Sequence, residues 1–371
     1  MRASDKVRRE VASLDRPAHG GEGWRLHGKE DFSANLNPLG PPPGIDRMLC
    51  EASARLDHYP DDSCQGFKEA LADRYRLDVG NVMVGAGSSE LIRLFPEVFV
   101  ERGDKVLMPR PTFGEYSFAC QFMGARLVPY ELSAEHGFRP DVDRMLSSLD
   151  EGFKALYLCN PNNPTGVALP RSEVLRLVRG CEQLEVLFFL DETLLELMPD
   201  EEERSCARMV DKNPNLFIIR SLTKSFAIPG FRSGYGMGCK EMISTLDRGR
   251  QTWNLGELEQ TVSTRLVRDH DGHIRKAARV MADERDRVHD HLLGLGARTH
   301  RPDAFYFFLD VSPTGLTGRE FRDRMLDLGV VVRDCSSFGH PYESYVRFCV
   351  KTPEKDELLV RALDEAWGGG S

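Results

Sequence analysis

The sequence predicts an α/β protein with a large domain on a mainly parallel, seven-stranded sheet between helices. A smaller α+β C-terminal domain and an N-terminal arm complete it. Three observations carry this. Short apolar runs alternate with helical patterns from residue 44 to about 256, which places parallel strands between helices. Two of the runs, VLFFLD and NLFII, are apolar without a break, as strands covered on both faces must be. From about residue 257 the pattern changes to a long charged helix and a few separate strands. The expected divisions are therefore 1–43, 44–256 and 257–371.

Taken in order, residues 1 to 18 are charged throughout and predict a helix. The Gly- and Pro-rich run HGGEGWRLHGKEDFSANLNPLGPPPG then predicts an irregular arm. Candidate strands follow at Asn81–Val84, Lys105–Met108, Arg126–Tyr130, Ala155–Cys159, Val186–Asp191 and Leu216–Arg220. Helical patterns lie between them at Ser88–Val100, Phe113–Met123 and Arg171–Gln183. The C-terminal part predicts one helix over Glu257–Leu295, the strand AFYFFLDV and a helix over Gly318–Leu328. Strands over Val330–Arg333 and Tyr345–Val350 and a last helix end the chain.

Composition narrows the function. The 371 residues are 41% hydrophobic and 29% charged, an ordinary globular balance. A net charge of −9 argues against general nucleic-acid binding, which leaves a basic footprint. No apolar run reaches membrane-spanning length, and the charged N-terminus lacks the apolar stretch of a signal peptide, so a cytoplasmic protein is expected. The nine cysteines are scattered, with no C-x-x-C pair. They predict reduced, buried apolar residues rather than a metal site or disulfide framework.

Four stretches carry chemistry. GAGSSE (Gly85–Glu90) lies between a strand and a helix. It reads as a plain turn with a serine cap, or as an anion site made of helix N–H groups and the hydroxyls of Ser88 and Ser89. CNPNNPTG (Cys159–Gly166) cannot continue a strand or a helix. It is a well-made loop, placed where open α/β sheets bind ligands. VLFFLDET ends an apolar strand in Asp191, which either caps the next turn or pairs with a buried cation. RSLTKSFAIPGFRSGYG puts Lys224 after a buried strand, among hydroxyls and near Arg232. A lysine so desolvated becomes a nucleophilic amine, whereas most lysines are solvated surface charges. Together these offer a phosphate cradle, an asparagine loop, a buried acid and a lysine. Pyridoxal 5′-phosphate, with its phosphate, phenolic oxygen, ring nitrogen and aldehyde, would use all four.

In that order the stretches resemble the signature of the fold type I pyridoxal-phosphate enzymes, the aspartate aminotransferase superfamily, over nearly the whole chain. The resemblance implies that Lys224 takes the cofactor's aldehyde and that Asp191 partners the ring nitrogen. It implies that Asn163 bonds the phenolic oxygen and that Ser88, Ser89, Ser221 and Arg232 bind the phosphate. Phe113, in PTFGEY, matches the aromatic that stacks on the ring. Tyr59, in HYPDD, matches a tyrosine that crosses the interface of a homodimer. Arg347, in YVRFCV, matches the arginine that clamps a substrate carboxylate. One departure is Leu194, where many relatives have a tyrosine three residues after the aspartate.

Within the superfamily two subgroups fit, histidinol-phosphate aminotransferase and the threonine-phosphate decarboxylase of the cobalamin pathway. The arm AHGG…DFSANLNPLGPP, the pattern RSLTK-x-x-AIPG and the segment VVVRDCSSFG resemble the decarboxylase. The expected pocket is rich in anion binders, with Arg333 and Arg347 on neighbouring strands and Asn35, Asn37 and His19 on the arm. Arg333 reads either as a substrate ligand or as an ion-pair partner of Asp334. A phosphorylated amino acid would use this set. Whether carbon dioxide or a Cα proton leaves depends on which bond stands perpendicular to the ring. The residues alone leave that open, and the subgroup resemblance implies decarboxylation. A transcription regulator on the same fold would carry a DNA-binding domain ahead of it. Only about forty residues precede the core here.

Overall fold

The computed structural model describes residues 2–17, 21 and 23–368. Twelve strands follow in chain order: β1 (Glu30–Asp31), β2 (Val82–Gly85), β3 (Lys105–Arg110), β4 (Arg126–Glu131), β5 (Phe153–Cys159), β6 (Leu187–Asp191), β7 (Leu216–Ser221), β8 (Gly234–Met237), β9 (Tyr306–Asp310), β10 (Val330–Val331), β11 (Arg333–Asp334) and β12 (Tyr345–Cys349). Seven of them form one sheet in the order β2-β8-β7-β6-β5-β3-β4. The β4, β3, β5, β6 and β7 ladders are all parallel, and β8 runs against both its neighbours. This is the expected α/β layer. Its seventh strand, β8, lies in the GYGM stretch that the sequence reading had no strand for. Two glycines leave that stretch without an apolar run to detect. The Phe217 ring fills the space at Gly236, where a Cβ would come within 2.5 Å of it.

Every residue of β7 is buried, and so are all of β6 but its first. On one face Phe95, Tyr157, Phe189 and Phe217 interlock, with Tyr157 and Phe189 stacked at 4.5 Å. The helix Ser88–Phe99 covers this face, and Arg171–Gln183 packs on the other. Burying both faces turns the uninterrupted apolar pattern into the sheet's main stabilising term.

The C-terminal part holds a three-stranded antiparallel sheet, β11-β12-β9. The expected strand Val330–Arg333 is split. Val330 and Val331 pair in parallel with β1 of the arm, whereas Arg333 and Asp334 pair with β12, so the chain changes neighbours at Val332. The expected helix Glu257–Leu295 is two helices, Glu257–Asp269 and Asp271–Gly294. They break at His270 (φ −118°, ψ 17°), inside a D-H-D-G run of poor helix formers. The expected N-terminal helix is reduced to short turns at Ala3–Lys6 and Arg9–Ala12. Its charges leave no apolar face to bury, and helices that short are marginal without one. Cys50 is exposed and Cys239 half-buried, so the expectation of burial holds for the other seven cysteines only. Among the described residues no helix is long and apolar enough to cross a membrane.

Candidate active site

The site lies where the parallel strands end. β2 runs into Gly85, Ala86 and Gly87, and the twelve-residue helix Ser88–Phe99 starts there. Gly87 has a φ of +78°, and a Cβ on it would come within 2.5 Å of Arg232 Nη2. A Cβ on Gly234 would meet the Ser88 nitrogen at 2.5 Å. Both glycines therefore let β8 and Arg232 close over the helix N-terminus. Arg232 donates from Nη2 to Ser89 Oγ at 3.1 Å and from Nη1 to the Pro229 carbonyl at 3.1 Å. Helix N–H groups, serine hydroxyls and a guanidinium converge there, the donor set that a phosphate takes.

Asp191 ends β6 and is buried. Its Oδ2 accepts from the Tyr116 hydroxyl at 2.6 Å and its Oδ1 from the Thr193 N–H at 2.7 Å. Burial pushes its carboxyl up, against those hydrogen bonds. A protonated ring nitrogen would offset that burial. Phe113 caps the helix Gly114–Phe122 and stands edge-on to Tyr116 at 5.6 Å.

Lys224 sits on the one-turn helix Leu222–Ser225 directly after β7. Ser221 caps the turn, its Oγ accepting from the Thr223 N–H at 3.3 Å and pairing with Thr223 Oγ1 at 2.7 Å. Burial, then Arg347 and Arg232, bring the lysine amine down to about 8, with Asp191 opposing them. Such an amine gives up its proton far more readily than an ordinary lysine and is correspondingly more available as a nucleophile.

Arg347 reaches in from β12. It donates from Nη1 to Asn163 Oδ1 at 2.6 Å and from Nη2 to the Ser33 carbonyl of the arm. Its Nε is buried without a hydrogen-bond partner, as are both side-chain amide atoms of Asn35. Buried polar atoms left without a protein partner call for an explanation, and a polar ligand is one. Asn37 differs: its Nδ2 donates to the Ser225 carbonyl and its Oδ1 accepts from the Leu39 N–H. Its amide is used in holding the arm, and its own N–H reaches the Lys224 carbonyl at 3.1 Å. Arg333 lies opposite Arg347 in the β11–β12 register, with its guanidinium 5.4 Å from the Phe338 ring centroid. Asp334 accepts from the Ser336 N–H and hydroxyl.

The structure thus gathers Ser88, Ser89, Asn163, Asp191, Ser221, Lys224, Arg232, Arg333 and Arg347. Tyr59 stands apart, 75% exposed and stacked on Trp253 at 4.4 Å. His19 lies outside the described residues. The sequence reading missed Tyr116, although it falls one helical turn after Phe113. It also missed Arg220, a charge inside an apolar strand, which is fully buried against Glu192 at 2.6 Å. Cofactor phosphate, ring nitrogen and aldehyde each find fitting residues.

The family model for aminotransferase class I and II matches residues 28–363. The histidinol-phosphate aminotransferase of Moorella thermoacetica is 31% identical over 335 residues, covering 90% of this chain and 84% of that one. A protein of Caldanaerobacter subterraneus named "Putative threonine-phosphate decarboxylase" is 32% identical over 336 residues, covering 89% and 88%. The crystal structure of histidinol-phosphate aminotransferase from Sinorhizobium meliloti, solved with pyridoxal 5′-phosphate, superposes with a TM-score of 0.87. It has 21% identity and covers 99% of this chain and 98% of that one, a likeness of fold.

Proposed function

The chain belongs to the aminotransferase class I and II family, and on that premise we propose that it decarboxylates L-threonine O-3-phosphate. The product would be (R)-1-amino-2-propanol O-2-phosphate, a step of cobalamin synthesis. The enzyme is dependent on pyridoxal 5′-phosphate, and its fold is that of the family.

The observation that carries the substrate class is the pairing of Arg333 with Arg347 on facing strands, beside Lys224 and Arg232. One substrate carboxylate does not call for that much positive charge, whereas a carboxylate plus a phosphate does. The choice of decarboxylation is supported by the arm, by RSLTK-x-x-AIPG and by VVVRDCSSFG, and by the Caldanaerobacter relative.

The bound cofactor supplies an electron sink conjugated to the substrate's Cα. Arg347, fixed by Asn163 and the Ser33 carbonyl, would hold the substrate carboxylate, with Arg333 on the phosphate. Asp191, held by the Tyr116 and Thr193 donors, would partner the ring nitrogen and keep it protonated. As the Cα–carboxylate bond breaks, its electron pair stays on Cα and carbon dioxide leaves. Lys224 then delivers one proton to Cα.

Tyr59, exposed on a loop tied to the phosphate cradle, would reach the phosphate of a second subunit. That loop is anchored by Asp62, which accepts from Arg250 and from the Trp253 N–H. Asn254 then bonds Glu90, which holds the Ala86 N–H of the cradle. Turnover of O-phospho-L-threonine to carbon dioxide and an amine, with no keto acid added, tests the assignment. The second reading, transamination of histidinol phosphate, rests on the Moorella relative and requires 2-oxoglutarate for turnover.

A further inference from the structure

Beneath the lysine turn lies a buried ionic cluster that none of the steps above uses. Arg220, the penultimate residue of β7, is completely buried. It donates to Glu192 Oε2 at 2.6 and 3.1 Å, to Glu201 Oε1 at 2.6 Å, to Ser205 Oγ at 2.6 Å and to the Tyr75 hydroxyl at 3.1 Å. Glu192 follows Asp191 directly, and its Oε1 accepts from the Cys206 N–H at 2.8 Å. Glu196 accepts at Oε1 from Tyr75 and Tyr235, each at 3.1 Å, and from Arg74 at 3.3 Å. Its other oxygen, Oε2, accepts from the hydroxyl of Ser225, the residue after Lys224. Burial acts to raise the Glu196 carboxyl, but Arg74 and Arg220 hold it below the usual range, so it is an anion in place.

A cluster of this kind is a poor device for stability alone, because a well-packed apolar core does as well without desolvating charges. Its attachments point elsewhere. One end grips the residue beside Asp191. The other grips the residue beside Lys224. On the far side Asn37 holds the carbonyls of Lys224 and Ser225. The turn is clamped from both sides, and the Ser225 bond ties its last side chain to the ionic cluster.

We infer that Glu196, acting through the Ser225 hydroxyl, is a positioning residue that sets where the Lys224 amine stands relative to Asp191 and Arg232. Arg220 supports it by anchoring Glu196 and Glu192 in one network. The inference rests on the reading of Lys224 as the cofactor's lysine. Without the Ser225 bond the turn keeps its cap and backbone ties but loses its side-chain link to Glu196, and the amine relaxes away from Asp191, Arg232 and Arg347, the charged groups that face it.

The test is a pH titration of the visible absorption of the cofactor-loaded protein, with thermal unfolding of the same samples. Ser225→Ala should move the absorption midpoint by about one pH unit, a tenfold change in the proton equilibrium. Tyr75→Phe removes a donor from the opposite oxygen of Glu196. It should lower the unfolding temperature comparably and leave the midpoint in place. If Ser225→Ala does not accumulate as folded protein, Ser225→Cys, of similar volume with a weaker donor, should move the midpoint in the same direction. A wild-type midpoint in the serine variant, or an equal shift in Tyr75→Phe, overturns the inference. Lys224→Ala separates the two claims. If it keeps the visible band, the reading of Lys224 fails. If it loses the band while the serine variant titrates as wild type, only the positioning role fails.

Discussion

Arg333 and Arg347 stand directly opposite each other across the antiparallel β11–β12 pair. Like charges in that position repel. Burial, and then Arg347, bring the Arg333 guanidinium down to about 10. Two guanidinium groups so placed would suit an anionic ligand. Arg333→Gln should therefore raise the KM for a phosphorylated substrate by roughly 10- to 100-fold, the loss of a charge-assisted hydrogen bond of about 1.5–3 kcal/mol. Steady-state kinetics check this. An unchanged KM would place Arg333 outside the substrate site.

Lys224→Ala should abolish the visible absorption of the cofactor-loaded protein. An unchanged spectrum would mean that another lysine is used. The sign of the pH dependence follows from the lowered amine. Between about 8 and the ordinary lysine value of 10.5, the unfolded chain holds a proton that the folded chain has released. This group's contribution to stability without cofactor therefore rises with pH across that window. Lys224→Met removes the buried amine. The variant should be more stable than the parent at pH 7, with a gap that closes by about pH 10.5. Denaturant titrations at several pH values measure it, and a gap independent of pH would contradict the burial of the amine.

Tyr116→Phe removes the 2.6 Å hydrogen bond to Asp191 Oδ2 and leaves the ring packed. The carboxylate then loses a donor that favours its charged form. Cofactor affinity should weaken by about tenfold, near 1–2 kcal/mol. Titration of the cofactor into the stripped protein reads this directly. Wild-type affinity would show that the Thr193 N–H suffices.

Tyr59 is an exposed aromatic stacked on Trp253. The active unit should be a homodimer, and Tyr59→Ala should weaken cofactor retention without loss of the dimer. Light scattering after size exclusion tests this. A fully active monomer would rule out the shared site.

Much of this was readable from residue order. The strands carrying Asp191 and Lys224 announce themselves because burial on both faces leaves them no polar alternation. The loops that follow are recognisable because Asn-Pro steps and glycines cannot extend a strand or a helix. What sequence hides is pairing. β8 has too few apolar side chains to be seen, and it exists because β2 and β7 flank it. The split of Val330–Arg333 depends on two different neighbours bidding for one run. Arg220 looked like the end of a strand, and only the fold shows three glutamates around it. Asn37 was expected at the substrate, yet its amide is committed to the arm. Asn35, two residues earlier, keeps its amide unpartnered.

The central claim is decarboxylation of a phosphorylated amino acid. The most direct measurement mixes cofactor-loaded protein with O-phospho-L-threonine, without a keto acid, and follows carbon dioxide and amine together. The account predicts steady release of both in equal amounts. No carbon dioxide, with histidinol phosphate bleaching the visible band and 2-oxoglutarate restoring it, would contradict the account and make the chain an aminotransferase.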